Sequence, residues 1–234
     1  MKGYGQFCPV AKAAEIVAER WTPLVLRELF CGSIHFADLR RGVPLMSPSL
    51  LSTRLKDLEA AGIVDRHEAG KGRTEYHLTP AGKELWPVIE HLGIWGQRWA
   101  RSRILDNDLD AGLLMWDIHR NLRRDSLPAE RTVVRFDFTG TVATKRRWWL
   151  VIEQRCGDLC LLDPGYEVDL FVRTHVRTMT EVWMGDRPLL PTVRSADIVI
   201  DGPAKLAKAF PGWLGLSKFA PVKRPASLRT PAVT

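Results

Sequence analysis

Long hydrophobic runs are missing from this chain of 234 residues. No uninterrupted apolar stretch approaches the roughly 20 residues that a membrane-spanning helix needs. The first residues, Met1 to Phe7, also lack the apolar core of a secretory signal. These absences predict a cytoplasmic protein that does not interact with a membrane.

Cysteine is scarce and no cysteine sits in a CxxC pair. The four cysteines are too scattered for a secreted disulfide framework or a structural zinc site. The six histidines are also scattered, and no serine, histidine and acid are grouped in the sequence. His119 and His175 are interpreted as surface or capping residues rather than ligands. We therefore expect no catalytic residues, no metal site and no cofactor, and do not expect an enzyme.

Positively charged residues are in excess, which gives a net charge of +7 and a pI of about 9.5. The hydrophobic fraction of 45% and the charged fraction of 26% are typical of a globular protein. A basic balance favours nucleic acid as a partner, because lysine and arginine displace the counterions condensed on phosphates. The excess is spread over both halves of the chain, so charge alone does not locate a binding surface.

The hydrophobic period changes along the chain. Helical periodicity covers residues 9 to 104, and strand-like alternation covers about 131 to 200. The acidic stretch between them, which ends at Gly112, predicts a boundary. We expect an α+β protein with one domain at 1–104, a second at 113–220 and a flexible, proline-containing tail at 221–234.

Helix start signals recur in the first half. Thr22-Pro23, Ser47-Pro48 and Thr79-Pro80 each combine a capping side chain with proline at the first helical position. They predict helices starting at residues 23, 48 and 80, of which the first ends near Gly32, the second at 61 and the third at about 103. Two further helices are predicted at 9–19 and 36–41. Between them, two short strands flanking a Gly-Lys-Gly-Arg loop predict a β-hairpin at 63–79.

The helix that begins after Ser47 has two different faces. Leucines lie on one side, while the other side is small, polar and cationic. Such a helix can enter the major groove, and a basic hairpin tip can reach the minor groove or flanking phosphates. The candidate DNA-binding residues are Ser49, Ser52, Thr53, Arg54 and Lys56 on the helix and Lys71 and Arg73 on the hairpin. The alternative is an ordinary solvated helix face followed by an ordinary soluble turn.

A family resemblance rests on segments spread over residues 6–101. They are Cys8-Pro-Val10, Arg20-Trp-Thr22, Phe36-Ala-Asp-Leu39, Leu50-Leu-Ser-Thr-Arg-Leu-Lys-Asp-Leu-Glu59, Gly62-Ile-Val-Asp-Arg66, Tyr76-His-Leu-Thr-Pro-Ala-Gly82, and Leu92 with Trp95. In these segments the chain resembles the HxlR family of bacterial transcriptional regulators. The resemblance implies a homodimeric winged helix-turn-helix that binds double-stranded DNA. It also implies a dimer interface formed largely by the first and last helices of the domain.

Two observations from the residues bear on regulation. Tryptophans at 86, 95 and 99 make the last helix apolar over too wide an arc for one small domain, which favours a dimer interface unless the second domain covers them. Cys8 precedes a helix N-terminus, which favours the thiolate and makes redox sensing an alternative. Some members of the resembled family sense oxidants through a cysteine at this position. A buried, unreactive thiol is the other interpretation of Cys8.

The second half predicts a helix at 113–124, then strands near 134–138, 148–152, 159–162 and 168–172. Turns are expected at Cys156-Gly157-Asp158 and Asp163-Pro164-Gly165. A helix at 175–184, a strand at 198–200 and a helix at 203–210 follow. We interpret this order as an antiparallel sheet with helices on one side.

This order of elements is similar to the sterol-carrier-protein fold, a resemblance that covers about residues 113–213. It implies an apolar cavity for a small apolar effector, with pocket residues at Phe136, Phe138, Trp148, Phe171 and Trp183. The alternative is that these aromatic side chains simply fill a core. The function predicted from the sequence is a DNA-binding regulator whose dimer geometry an effector shifts. A thiol-redox regulator, a lipid-binding carrier and an enzyme built on the second half remain as alternatives, although no local motif supports the enzyme.

Overall fold

The structure is a computed structural model that describes residues 3–70, 72–100 and 104–225. The chain forms two compact units, Met1–Trp95 and Gly96–Thr234. Each unit has its own hydrophobic core, and the two cores share no residue.

Over its described residues, the first unit contains six helices and a two-stranded hairpin. In chain order these are α1 Pro9–Val17, α2 Thr22–Phe30, α3 Phe36–Gly42, α4 Pro48–Ala60, β1 Val64–Glu68, β2 Thr74–Leu78, α5 Pro80–Glu84 and α6 Trp86–Trp95. The strands pair antiparallel, from Val64 opposite Leu78 to Glu68 opposite Thr74. Three helices followed by a recognition-type helix and a hairpin are typical of a winged helix-turn-helix.

Local capping fixes where two of these helices begin. The Ser47 hydroxyl accepts a hydrogen bond from the Leu50 N–H at 3.3 Å, and the Thr79 hydroxyl accepts one from the Gly82 N–H at 3.0 Å. The prediction for Thr22 is wrong, because Thr22 is already helical and the capping position is Trp21, whose φ is 78°. Trp21 supplies no side-chain hydrogen bond to the helix.

The long helix predicted over 80–103 is divided. It ends at Glu84, resumes at Trp86 and continues beyond Trp95 as a π-helical turn, Gly96–Ala100. Pro87 explains the break, because proline has no N–H and its ring collides with the carbonyl four residues earlier.

The core of the first unit packs the leucine side of α4 against α2, α3 and the hairpin. The buried members are Val25, Leu26, Leu29, Leu39, Val43, Met46, Leu51, Leu55, Leu58, Ile63, Val64 and Ile89.

A charged side chain is buried beside this core. The Glu28 carboxylate pairs with the Arg27 guanidinium at 2.8 Å and accepts a hydrogen bond from the Ser33 hydroxyl at 3.3 Å. It lies so close to Gly42 that a Cβ atom there would overlap it. These partners satisfy a carboxylate that would otherwise be costly to bury.

The second unit is built on a five-stranded sheet. Its elements are a 3₁₀ turn Asp106–Asp108, α7 Ala111–Arg120, a 3₁₀ turn Arg124–Ser126, β3 Thr132–Thr139, a 3₁₀ turn Ala143–Lys145, β4 Arg147–Glu153, β5 Cys156–Cys160, β6 Leu170–His175, α8 Val176–Trp183, α9 Leu189–Arg194, β7 Ile198–Asp201 and α10 Ala204–Trp213. Helix α9 is absent from the sequence-based prediction.

The sheet is mixed rather than purely antiparallel. The strand order is β5-β4-β3-β6-β7, and β3 pairs with β6 in parallel while the other pairs are antiparallel. The expectation of an antiparallel sheet is therefore corrected for the central pair. Because β5 is an edge strand and β6 lies beyond β3, residues 161–169 must cross the sheet to connect them.

The turn between β4 and β5 is displaced from its predicted position. Glu153 pairs with Cys156, so Gln154 and Arg155 form a two-residue turn with φ of 50° and 60°. Cys156, Gly157 and Asp158, predicted as a turn, belong to β5. The turn predicted at Asp163-Pro164-Gly165 is confirmed, since the Asp163 carboxylate accepts a hydrogen bond from the Gly165 N–H at 2.9 Å.

The two faces of the sheet are covered differently. Helices α7, α8 and α10 pack on the inner face, where Phe136, Phe138, Trp148, Leu150 and Ile152 are buried. On the other face Val133, Trp149 and Val151 form a small cluster with Cys160 and Val168, the latter from the crossing segment.

Within the described residues, no helix combines the length and apolar character needed to span a bilayer.

Candidate nucleic-acid interface

Helix α4 has a buried rear and an exposed front. Leu51, Leu55 and Leu58 are buried in the core of the first unit, whereas Ser49, Thr53 and Lys56 are exposed and Ser52 is half-buried. The Thr53 hydroxyl donates to the Ser49 carbonyl at 3.0 Å, and the Ser49 and Ser47 hydroxyls lie 3.2 Å apart. A rigid helix that presents short hydroxyl side chains and one cation can fit a DNA groove and meet base edges or phosphates.

Arg54 differs from its neighbours because its guanidinium has partners inside the first unit. It pairs with the Glu19 carboxylate at 2.8 Å and the Asp57 carboxylate at 2.9 Å, and it donates to the Arg20 carbonyl at 3.3 Å. These bonds connect α4 to the segment between α1 and α2. They favour a positioning role for Arg54 over direct contact with DNA.

The hairpin tip is tight and exposed. The Ala69 N–H donates to the Arg73 carbonyl at 2.9 Å, and the Arg73 N–H donates to the Gly70 carbonyl at 3.0 Å. Gly70 and Gly72 have φ of 76° and 70°, a left-handed conformation that glycine adopts without strain. Arg73 is exposed. Lys71, the other tip residue predicted to meet DNA, lies outside the described residues.

Two further cationic residues lie on the helices and hairpin of the first unit, and the sequence analysis did not predict either of them. Arg40 at the end of α3 and Arg66 on β1 are exposed. The sequence of β1 does not alternate between apolar and polar residues, so no periodic signal marks Arg66; all four residues that follow Val64 in the strand are exposed. The structure thus brings Ser49, Ser52, Thr53 and Lys56 together on one helix and leaves Arg73 on the hairpin.

A separate apolar surface remains uncovered in the first unit. On α6, Val88, Leu92 and Trp95 are 52%, 53% and 59% exposed at helical spacing. Helix α1 has no buried residue, and Val10 on it is 76% exposed. Trp86 does not join this surface, since it packs edge-on against Phe30 with ring centroids 5.1 Å apart. The other predicted interface tryptophan, Trp99, is 48% exposed.

Cys8 lies at the start of α1. The pKa of its thiol is lowered because the backbone N–H groups of Ala11 and Val10 favour the thiolate. The thiol is partly accessible and forms no disulfide with any described cysteine. These are the two properties that a reactive cysteine needs.

The second unit contains a cavity of about 390 Å³ between its helices. Of the five predicted pocket aromatics, only Trp183 lines it. Phe136, Phe138 and Trp148 fill the core instead. Phe171 lies on the opposite face of the sheet, between the Arg135 and Arg173 guanidinium groups at 5.0 and 5.5 Å from its ring centroid.

The predicted roles of the two histidines can also be compared with their contacts. The His175 ring accepts a hydrogen bond from the Arg177 N–H at 3.1 Å and caps α8, as expected. The His119 ring lies 2.7 Å from the Gly157 carbonyl oxygen and stacks on Trp116, so it is a half-buried packing residue rather than a cap.

Comparison with known proteins identifies relatives of this chain. A family model described as HxlR-like helix-turn-helix matches residues 16–104. YvaP from Bacillus subtilis, an HTH-type transcriptional regulator, is 36% identical over 104 residues, which are 43% of this chain and 96% of YvaP. An HTH-type transcriptional regulator from Mycobacterium bovis is 41% identical over 92 residues, 38% of this chain and 58% of that protein.

A solved structure is also similar. The reduced form of the transcriptional regulator YodB from B. subtilis is 26% identical, with 42% of this chain and 100% of YodB covered and a TM-score of 0.37. The sequence matches carry the assignment: a relative more than a third identical is covered almost completely. The chain therefore belongs to the HxlR-like helix-turn-helix family of transcriptional regulators.

Proposed function

We propose that this regulator binds operator DNA as a homodimer, with α4 in the major groove and the β1–β2 hairpin against the flanking backbone. The observation that carries the proposal is α4 itself, since three leucines hold its rear while Ser49, Thr53 and Lys56 face outward. In a dimer, two such helices would read half-sites about 34 Å apart, one turn of DNA.

The exposed residues divide into two roles. Ser49, Ser52 and Thr53 are short enough to hydrogen-bond to base edges and supply sequence preference. Lys56, Lys71 and Arg73 supply charge for phosphates, with Arg40 and Arg66 as additional cations. Arg54 holds α4 in place through Glu19 and Asp57.

The experiment measures affinity for the duplex upstream of the protein's own gene across a range of salt concentrations. Lys56→Ala and Arg73→Ala should weaken binding to all sequences and reduce the salt slope by about 1 for each phosphate that is no longer neutralised. Ser52→Ala should instead change the preference between operators more than the total affinity.

Lys208→Ala is the matched control, because Lys208 is also an exposed lysine and lies on α10 of the second unit. It removes the same charge and should leave the salt slope unchanged. If Lys56→Ala and Arg73→Ala behave like Lys208→Ala, the assigned DNA surface is wrong.

The dimer half of the proposal is supported by the uncovered apolar surface on α6 and by the absence of buried residues in α1. Exposed side chains such as Leu92 and Trp95 are costly in water and are typical of interface cores. Leu92→Arg should produce a monomer in sedimentation experiments and abolish operator binding. Leu162→Arg, at an 81% exposed leucine of the second unit, should leave the dimer intact.

We further propose that the second unit holds a small apolar effector that shifts the dimer between two geometries. Its cavity of about 390 Å³ falls within the usual 300–1,000 Å³ of ligand pockets, and its lining is mainly apolar. The order of elements on which the sterol-carrier resemblance rests, a helix, four strands, a helix, a strand and a closing helix, supports the proposal. Helix α9 is an addition to that order.

A second candidate mechanism is thiol sensing at Cys8, which its lowered pKa supports. An oxidant should then weaken operator binding in the parent protein and not in Cys8→Ser. Cys31→Ser is the control, since Cys31 is a second cysteine of the first unit and is exposed. An identical oxidant response of parent and Cys8→Ser would exclude this mechanism.

A further inference from the structure

The cavity of the second unit is lined by residues of four helices and of the segments that follow α8 and α10. Ile118 near the end of α7 and Met179, Val182 and Trp183 on α8 form apolar walls, and Leu189 on α9 and Pro211 on α10 also line the cavity. The segment that follows α10 contributes Leu214, Gly215 and Leu216 to the lining. The side chains that a ligand would meet here are mainly apolar.

The segment after α10 is held in place by backbone contacts. The Ser217 N–H donates to the Trp183 carbonyl at 2.9 Å, and the Arg123 N–H donates to the Trp213 carbonyl at 2.9 Å. Gly215 passes so close to the Asn121 carbonyl that a side chain at this position would overlap it. The cavity is thus formed before any ligand arrives, which reduces the entropic cost of binding.

The charges at the cavity all have the same sign. Among the described residues, its lining includes two arginines, Arg123 and Arg187, and no acidic residue. Arg187 is neutralised, because its guanidinium pairs with the carboxylates of Asp197 and Glu181.

Arg123 is different. Its exposed side chain forms no ion pair or hydrogen bond with any residue in the described ranges, although its backbone is fixed by Trp213. A guanidinium offers a planar fork of donors that matches a carboxylate. The cavity therefore combines an apolar interior with one available cation.

We propose that the effector is an apolar carboxylic acid whose hydrocarbon lies against Met179, Val182 and Trp183 and whose carboxylate pairs with Arg123. This inference rests on the proposed effector role of the second unit and adds the chemical class of the ligand. A neutral apolar molecule would leave Arg123 without a partner and would gain only hydrophobic binding energy.

The test compares two probes of equal chain length on the full protein at pH 7.5, sodium decanoate and 1-decanol. Isothermal titration calorimetry measures the binding of each probe at concentrations below that at which decanoate forms micelles. Decanoate should bind up to about fivefold more tightly than decanol, as expected for one ion pair with an exposed guanidinium. Arg123→Gln should remove this preference and leave decanol binding unchanged.

Two variants locate the binding. Arg155→Gln removes another exposed arginine, which lies in the β4–β5 turn outside the cavity lining, and should keep the full preference. Leu216→Trp adds bulk at an exposed lining position and should weaken both probes at least tenfold. Far-ultraviolet circular dichroism identical to that of the parent establishes that each variant is folded.

The outcomes separate the two proposals. If decanol binds the parent as tightly as decanoate, or if Arg123→Gln retains the preference, the carboxylate inference is overturned and the apolar effector site stands. If neither probe binds, or if Leu216→Trp binds both like the parent, the effector site in this cavity is overturned as well. Decanoate that binds as expected and also changes operator affinity supports both.

Discussion

Arg54 shows how a cation in the helix proposed to bind DNA can serve the protein itself. Only 16% of its side chain is exposed, and three oxygens from Glu19, Asp57 and Arg20 surround its guanidinium. Its neighbour Lys56 is exposed on the same helix. Two basic residues two positions apart thus have different surroundings, and their substitution should have different effects.

We predict that Arg54→Ala lowers the free energy of unfolding of the first unit by about 1–2 kcal/mol, since it leaves two carboxylates without their partner. Lys56→Ala should change that free energy by less than about 0.5 kcal/mol. Urea denaturation measures both. A salt slope of DNA binding that falls in Arg54→Ala as much as in Lys56→Ala would argue for direct phosphate contact by Arg54.

Asp110 caps α7 and also forms an ion pair. Its carboxylate accepts hydrogen bonds from the Gly112 and Leu113 N–H groups at 2.7 and 3.0 Å and lies 2.6 Å from the Lys145 ammonium. Burial raises the pKa of this carboxyl, but the Lys145 bond and the backbone N–H groups outweigh burial, so the net pKa is lowered.

A lowered pKa in the folded state means that the folded protein favours the charged carboxylate. The stability that Asp110 contributes should therefore be fully present above about pH 3.9, the pKa of an unfolded aspartate, and should be lost as the pH falls through the folded value. At pH 7, Asp110→Ala should lower the unfolding free energy of the second unit by about 1–2 kcal/mol. Denaturation of parent and variant at pH 7 and pH 2.5 tests this, and a gap of equal size at both pH values would contradict it.

At the scale of single residues, the sequence predicts positions whose role depends on neighbours in the chain. A hydroxyl residue followed by proline and a helical run predicts the caps at Ser47 and Thr79, which the structure confirms, whereas the same pattern at Thr22 gives a wrong prediction. The sequence pattern misplaces Phe171 because Leu170, Phe171 and Val172 are consecutive apolar residues, so it does not reveal which of them faces the core. The pairing of β6 with β3 places Leu170 and Val172 inward and Phe171 outward.

Among the elements, the β4–β5 hairpin has a turn whose residues do not suit its geometry. Gln154 and Arg155 both have positive φ, which costs little for asparagine and glycine and more for residues with long side chains. This mismatch also explains the misplaced turn in the prediction, because glycine at 157 gives a stronger turn signal than Gln154-Arg155.

Replacing Gln154-Arg155 by Asn-Gly should raise the unfolding free energy of the second unit by about 0.5–1 kcal/mol. Arg155→Val should lower it by about 1 kcal/mol or more, since a β-branched residue is strained at positive φ. Chemical denaturation of the two variants measures the difference. Changes of the same sign in both would show that the turn is not formed as described.

Helix boundaries and strand pairing are predictable to different extents. Boundaries set by a cap or a terminal glycine, as at Ser47 and Gly62, depend on a few adjacent residues. The short helix α9, which has Pro188 at its N-terminal cap and Pro191 inside it, gives no periodic signal. The parallel pairing of β3 and β6 joins residues 36 positions apart, and no local pattern encodes it.

On the scale of the whole molecule, the two cores are separate sets of residues. The first unit, with its short-range helical contacts, matches the sequence-based prediction more closely than the second. The candidate DNA surface follows from the helix pattern of α4, whereas the cavity lining does not, because it joins residues from 118 to 216.

Because the cores are separate, we predict two unfolding transitions that mutations shift independently. Leu55→Ala should destabilise the first unit by about 2–5 kcal/mol, and Phe136→Ala should destabilise the second by about 3–5 kcal/mol. Differential scanning calorimetry should show one transition moving in each variant while the other stays in place. A single transition that shifts as a whole in both variants would contradict this expectation.

The carboxylate of Glu28 occupies the space that a side chain at position 42 would need. Homologous regulators that share this arrangement should consequently change the two positions as a pair, with any residue larger than glycine at one site accompanied by a shorter one at the other. Introducing alanine at 42 alone would displace the acid from Arg27 and Ser33, while the double exchange Gly42→Ala with Glu28→Ala would relieve the crowding. Aligning many members of the family would reveal this compensation without any further experiment on the protein.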